Sequence, residues 1–466
     1  MGRKLPPFAP AVVSTQTAAG RKRKTASLAP LTPRKRWVRA SGGWASLPID
    51  IICLILRQLV AIGGGGDVVD YIAFRAVCFG WRACTPTPRD PTLRDPRLRP
   101  RAWVALCDGD AVRPDDACEI PFFHTRTARC IRVRLPELRR HRIVGFTDGL
   151  VILLHKSTTA VRVLHPFTLV AVDLPPLAAV YREVIGPKKH HLLEMNAVVC
   201  SSATSANSIA VMVWFHSAMV VLVAEPGSDW KVLHRGIYVR SMLQFQGRLY
   251  ATFSASKEIV QLYPPRQPRL ENSLVVARIP DIFGEHIFCQ FFLVESGGRM
   301  LLVVQYPPGH GRKMEWSRQV GFRLYAVDLC SKGIGNLIPV SCLGDRALFL
   351  NSDRCLAVSA RDLPSLSSNS IYFSLPDSPV VVHSLRTGLS EQLAEHCQIH
   401  NSVDRIRPSV RPFSIVDHLL TYCHPSHWTE GLMFHEYHHI PDSFKELRKN
   451  IQAKDSRLRI PRIMGQ

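Results

Sequence analysis

The sequence predicts a small all-α unit near the N-terminus, followed by a mostly-β domain built as a β-propeller of four-stranded blades. Three observations predict it. Between Trp44 and Arg82, apolar residues recur at helical spacing in two runs. From Trp103 to about residue 400, the pattern changes to short strands parted by turn residues. Those strands fall into sets of about four, several of which open with a hairpin across a Gly-containing turn. The chain therefore divides into a disordered basic arm (1–43), a helical unit (44–84), a Pro/Arg-rich linker (85–101), the β domain (102–400) and a His-rich, basic tail (401–466).

The arm is rich in Pro, Ala, Ser, Thr, Arg and Lys and has little periodic apolar content. No acidic residue precedes Asp50, so much of the formal net charge of +22 is a property of the arm. Arg21, Lys22, Arg23 and Lys24, with Arg34, Lys35 and Arg36, have the form of a two-part nuclear-import signal. An Arg-rich, acid-free organellar transit peptide and a merely solvated tail are the alternatives. The expected location is the nucleus, the cytoplasm or both. The N-terminus lacks a secretory apolar core.

In the helical unit, Leu47-Pro48 and Asp50 mark a helix start, because Pro fits a first turn and a carboxylate favours the positive end of the dipole. Ile51, Ile52, Leu54, Ile55, Leu56 and Leu59 form a wide apolar stripe, and the run Gly63 to Gly66 ends it. A second helical pattern carries Val69, Ile72, Phe74, Val77, Cys78 and Trp81. About 40 residues cannot bury this much apolar surface alone. Some of it should face a partner. In the linker TPTPRDPTLRDPRLRPR, prolines forbid a continuous helix and arginines should keep the segment wet.

Five strand sets follow. They begin at Ile143, Ala197, Met242, Phe291 and Ala347. Their hairpins compare well: FTDGLVILL, FQGRLYATF and ESGGRMLLVV. Gly149 to Gly247 spans 98 residues and Gly247 to Gly298 spans 51, which fits a repeat of about 40–60 residues, as propeller blades require. The apolar stretch Ile209 to Ala224 is interrupted by His216-Ser217 and is too short for a membrane span; it reads as two buried strands and a tight turn. No WD or kelch signature is present, so a sandwich or irregular barrel is the competing architecture.

Leu47-Pro48, Asp50, the Ile/Leu helix, Phe74-Arg75-Ala76-Val77-Cys78 and Trp81-Arg82 together closely resemble the F-box. Further stretches resemble the C-terminal propeller-like domain of a large plant F-box family that is expanded in cereals. They are Leu164 to Thr168 with Leu174 to Leu177, Phe245 to Tyr250, Phe292 to Leu301 and Leu343 to Leu350 followed by Asn369 to Phe373. The resemblance implies a non-catalytic substrate receptor of a Skp–cullin–F-box ubiquitin ligase. Its partners would be a Skp-type adaptor, through it a cullin, and a target protein. By the match to the motif, adaptor docking falls on Leu47, Pro48, Ile51, Ile52, Ile55, Leu59, Val77, Cys78 and Trp81, some of which must instead pack the unit's own core. A nuclear regulator with a degenerate F-box and no ligase role is the alternative.

Other chemistry finds little support. His435-Glu436-Tyr437-His438-His439 matches HExxH, but Pro441 ends any helix there and no third zinc ligand is recognisable. No metal or cofactor is therefore expected. Gly63 to Gly66 lacks the Gly-Lys-Ser/Thr context of a phosphate cradle. Asp148, Asp173 and Asp328 are expected at strand ends, completing turns, and Trp214, Phe253 and Tyr325 in the core. The arginines among the linker prolines do not line one helix face, which disfavours nucleic acid. Thirteen scattered cysteines without a CxxC point to a reducing compartment.

Overall fold

Pro48 starts the first helix as its sequence requires: its carbonyl accepts from the N–H groups of Ile51 and Ile52, each at 3.1 Å. The helix α1 spans Ile49–Leu59. In this computed structural model the described residues are 44–59, 67–106, 118–178, 180, 195–215, 218–236, 238–253, 256–265, 274–280, 289–306, 320–329, 334–351, 353–374, 380–394 and 414–423. The tetraglycine run, the basic clusters of the arm and the HExxH string lie outside them.

The second helical pattern is not one helix. It divides into α2 (Val68–Ala76) and α3 (Phe79–Ala83). Cys78 is extended, with φ −157°, and its Sγ accepts from the Trp81 N–H at 3.4 Å, so it caps a new helix instead of continuing the old one. Periodicity carried across this joint because a single extended residue barely disturbs the apolar spacing.

Six sheets follow among the described residues. The first contains β1 (Trp103–Ala105), β2 (Glu119–His124) and β3 (Cys130–Arg134). The second runs β4 (His141–Thr147), β5 (Leu150–His155), β6 (Ala160–Leu164) and β7 (Ala171–Pro176). The third runs β8 (Met195–Ser201), β9 (Ile209–Phe215), β10 (Val220–Ala224) and β11 (Lys231–Arg235). The fourth is β12 (Val239–Phe245), β13 (Arg248–Phe253), β14 (Glu258–Tyr263) and β15 (Leu274–Arg278). The fifth is β16 (Gln290–Ser296), β17 (Arg299–Tyr306), β18 (Gly321–Val327) and β19 (Leu337–Val340). The sixth holds β20 (Arg346–Leu350), β21 (Leu356–Ser359), β22 (Ser370–Ser374), β23 (Val380–Ser384) and β24 (Ser390–Ala394).

The second to fifth sheets are antiparallel meanders in chain order. The expected hairpins form, with positive φ at Asp148-Gly149, Gln246-Gly247 and Gly297-Gly298, the backbone of a type I′ turn. Two sheets depart from the four-stranded expectation. The first has three strands, of which β2 and β3 escaped the sequence reading; in β3 the apolar signal of CIRVR is broken by arginines. The sixth has five, in the order β21-β20-β22-β23-β24, with β20 and β22 parallel.

The sheets form a ring because each shares its apolar faces with its neighbours. One cluster joins the second and third sheets, another the third and fourth, another the fourth and fifth, and another the fifth and sixth. The largest closes the ring: Trp103, Phe122, Phe146, Phe349 and Tyr372 from the first, second and sixth sheets bury Leu419 and Leu420 of α4 (Ile415–Cys423). The propeller has six blades. Trp214, Phe253 and Tyr325 are in its core as expected.

Asp173 sits within β7 rather than at a strand end, where its carboxylate pairs with Arg162 across the ladder at 2.6 Å. The linker departs from expectation at Arg99. This side chain is buried, donating from Nε to the Leu93 carbonyl at 2.9 Å and from Nη1 to Asp148 at 3.0 Å. The Asp148 turn supplies the charge that lets an arginine leave water.

Candidate protein-docking site

The helical unit builds a small interior and turns other apolar residues outward. Ile52, Val68, Tyr71, Phe74 and Trp81 are buried, and the Phe74 and Trp81 rings lie 4.4 Å apart. The outward set is Ile49, Ile51, Leu54, Val77 and Phe79, of which Phe79 is 80% exposed. On α1, Ile51 and Leu54 are three residues apart and so share a face. Solvent contact of this kind is unfavourable by about 25 cal/mol per Å² of apolar surface, which a partner would recover.

The residues expected to dock divide between the two sets. Ile52 and Trp81 are interior. Ile51, Val77 and Pro48 are exposed, and Leu47, Ile55, Leu59 and Cys78 are half-buried. Ile49, Leu54 and Phe79 are outward residues that the sequence reading did not single out as docking positions. For Leu54, its place three residues after Ile51 was the available signal. Phe79 became visible as an outward residue only once α3 separated from α2.

Asp67 is a further residue that sequence reasoning passed over. An Asp directly before an apolar helical run is a cap signal. Its Oδ1 accepts from the N–H groups of Val69 and Asp70 at 2.7 and 2.9 Å, which caps α2. Its Oδ2 accepts from the indole N–H of Trp103 at 2.8 Å. His124 Nε2 lies 3.0 Å from the same oxygen, off the axis of a linear hydrogen bond. The tautomer follows from the other ring nitrogen: Nδ1 accepts from the Thr127 N–H at 3.1 Å, which assigns the proton to Nε2, facing the carboxylate. Burial pushes the Asp67 carboxyl upward, but His124, the Asp70 N–H and Trp103 outweigh it, and its pKa falls to about 2.

Further contacts surround this junction. Arg129 reaches Asp70 of α2 at 2.6 Å and lies over the Trp103 ring. Within the helical unit and its exit, Arg75 donates to the Thr85 hydroxyl at 2.7 Å, and Tyr71 donates to the Pro86 carbonyl. The arrangement can hold and present a protein-binding face. Among the described residues, no group of three or more His, Cys, Asp or Glu is placed to hold a metal, and no helix is long and apolar enough to cross a membrane. The described cysteines form no disulfide.

The family described as KIB1-4 beta-propeller matches residues 122–398. A probable F-box protein of Arabidopsis thaliana is 31% identical over 85 residues, which is 17% of this chain and 22% of that protein. The match thus spans about a fifth of the curated relative's length. Among solved structures, the dihydro-heme d1 dehydrogenase NirN aligns with a TM-score of 0.29 at 13% identity, over 66% of this chain and 56% of that one. Citrobacter koseri AztD aligns with a TM-score of 0.31 at 9% identity, over 63% of this chain and 71% of its own. Scores this low say nothing of what this chain does.

Proposed function

Because the chain belongs to the KIB1-4 beta-propeller family, we propose that it is the substrate-recognition subunit of a Skp–cullin–F-box ubiquitin ligase. In this reading, α1 to α3 are an F-box that docks a Skp-type adaptor, and the propeller holds a target protein. The chain itself performs no bond chemistry. It converts the encounter between target lysine and loaded ubiquitin carrier into an effectively intramolecular one. The observation that carries the proposal is the division of the helical unit: it has an interior of its own, yet leaves Ile49, Ile51, Leu54, Val77 and Phe79 outward. The relative's description as a probable F-box protein supports it.

The test is co-purification of the full chain with a Skp-type adaptor, beside Leu47→Ala/Pro48→Ala and Ile51→Asp/Val77→Asp variants. Capture by the natural chain and its loss in both folded variants is the expected result. A well-folded natural chain that captures no adaptor would leave a degenerate F-box and a non-ligase regulator. We further propose nuclear import through Arg21 to Lys24 and Arg34 to Arg36. Alanine replacement of both clusters should move a fluorescent fusion out of the nucleus, and an unchanged distribution would remove this assignment.

A further inference from the structure

The contacts between the helical unit and the propeller differ in how much they can fix. Arg129 and Asp70 are 44% and 34% exposed, so water and salt screen their attraction. Val69 adds an apolar contact with the ring-closing cluster, which holds α2 close without giving it a direction. The Asp67 contacts are different in kind. The Asp67 and His124 side chains are 7% and 2% exposed, and Trp103 is 1% exposed. Both propeller side chains that meet Oδ2 are themselves held: Trp103 meets His124 and Phe167 edge-on, at 5.0 and 5.1 Å, and His124 is tied to Thr127.

One planar carboxylate thus serves two bodies. Oδ1 is bound along the first turn of α2, and Oδ2 accepts from Trp103 of β1 and lies 3.0 Å from His124 Nε2 of β2 in the first blade. Hydrogen bonds are directional where apolar contacts are not. We infer that Asp67 is the positioning residue that sets the direction in which the docking face points relative to the propeller, through Trp103 and His124. This rests on the docking role proposed above for α1 to α3. In a receptor that works by proximity, that direction decides whether a target held by the propeller can reach the loaded carrier.

The test separates the clamp from the cap. Asp67→Ser keeps a cap-competent side chain that is too short to reach Trp103. Trp103→Phe leaves Asp67 and the cap in place and removes the indole donor, together with the ring volume by which an indole exceeds a phenyl group. Spin labels on non-canonical residues at exposed Arg57 of α1 and Lys231 of β11, in the full chain, report the distance distribution between the two bodies. The natural chain should give one narrow distance, and both variants a distribution roughly twofold broader or more, as at a loosened hinge. Arg129→Gln should change it little. Adaptor affinity should stay within about twofold, since neither variant alters one of the outward residues Ile49, Ile51, Leu54, Val77 and Phe79. If Asp67→Ser melts the helical unit, seen as lost helical signal, Trp103→Phe carries the test alone. Narrow distributions in a folded Trp103→Phe chain overturn the inference. The distance is measured without adaptor, so failed capture by the natural chain would defeat the ligase reading and leave this result standing.

Discussion

The indole N–H of Trp103 donates to Oδ2 of Asp67 across 2.8 Å, so the first strand of the propeller and the first turn of α2 share one buried carboxylate. The same carboxylate has a pKa of about 2, below its ordinary value of 3.8. The folded state therefore binds its proton less readily than the unfolded chain. The stability it contributes is complete above pH ~4 and is lost as pH falls from there towards about 2. Denaturant unfolding of the natural chain and of Asp67→Ser at pH 5 and pH 3 should show their difference shrinking in acid, by on the order of 1–2 kcal/mol. A difference that does not change with pH would mean that Asp67 titrates normally.

Inward and outward residues of the helical unit should respond oppositely to substitution. Trp81→Ala opens a cavity beside Phe74 and should cost about 3–5 kcal/mol in the stability of the helical unit. Ile51→Asp and Phe79→Asp alter exposed positions and should change stability by about 0.5 kcal/mol or less, while abolishing adaptor capture. Thermal unfolding and pull-down on the same samples separate the two classes.

Gly149 and Gly298 occupy matching hairpin turns in different surroundings. Both have positive φ, 78° and 74°. A Cβ on Gly149 would come within 2.0 Å of the Pro100 carbonyl oxygen, whereas on Gly298 it would meet nothing within 4 Å. Gly298→Ala should cost about 1 kcal/mol from backbone strain alone. Gly149→Ala should cost clearly more, because it also drives the linker off the second blade. Equal losses in a denaturation series would show that the linker yields freely at this point.

The helix α4 should hold the ring closed. Leu419 and Leu420 are buried in the cluster that joins the sixth, first and second sheets, and Arg354 donates to the Tyr422 carbonyl at 2.8 Å. The Arg354 guanidinium also lies over Phe146 and Tyr422, 4.9 and 5.1 Å from their centroids. Leu419→Ala should cost about 2–5 kcal/mol. Hydrogen exchange should rise first in β1, β20 and β22, the strands against α4. A uniform rise across all blades would argue against a local latch.

The sequence by itself determined what depends on neighbours a few residues away. Apolar spacing located α1, and alternation with Asp148-Gly149, Gln246-Gly247 and Gly297-Gly298 located the hairpins, because strand and turn preferences are local. It also located the apolar excess of the helical unit. Only the tertiary structure decided which of those residues point inward, since Ile52 and Ile51 have the same chemistry and differ only in what packs beside them. It alone decided that the ring has six blades, that the sixth blade contains a parallel pair and that a helix closes the ring. The partners of Asp67 were likewise beyond local reading, because Trp103 lies 36 residues away and meets the carboxylate only when the first blade has formed. Periodicity records the environment of each residue averaged over its neighbours, whereas long-range contacts depend on which distant surfaces bury one another best.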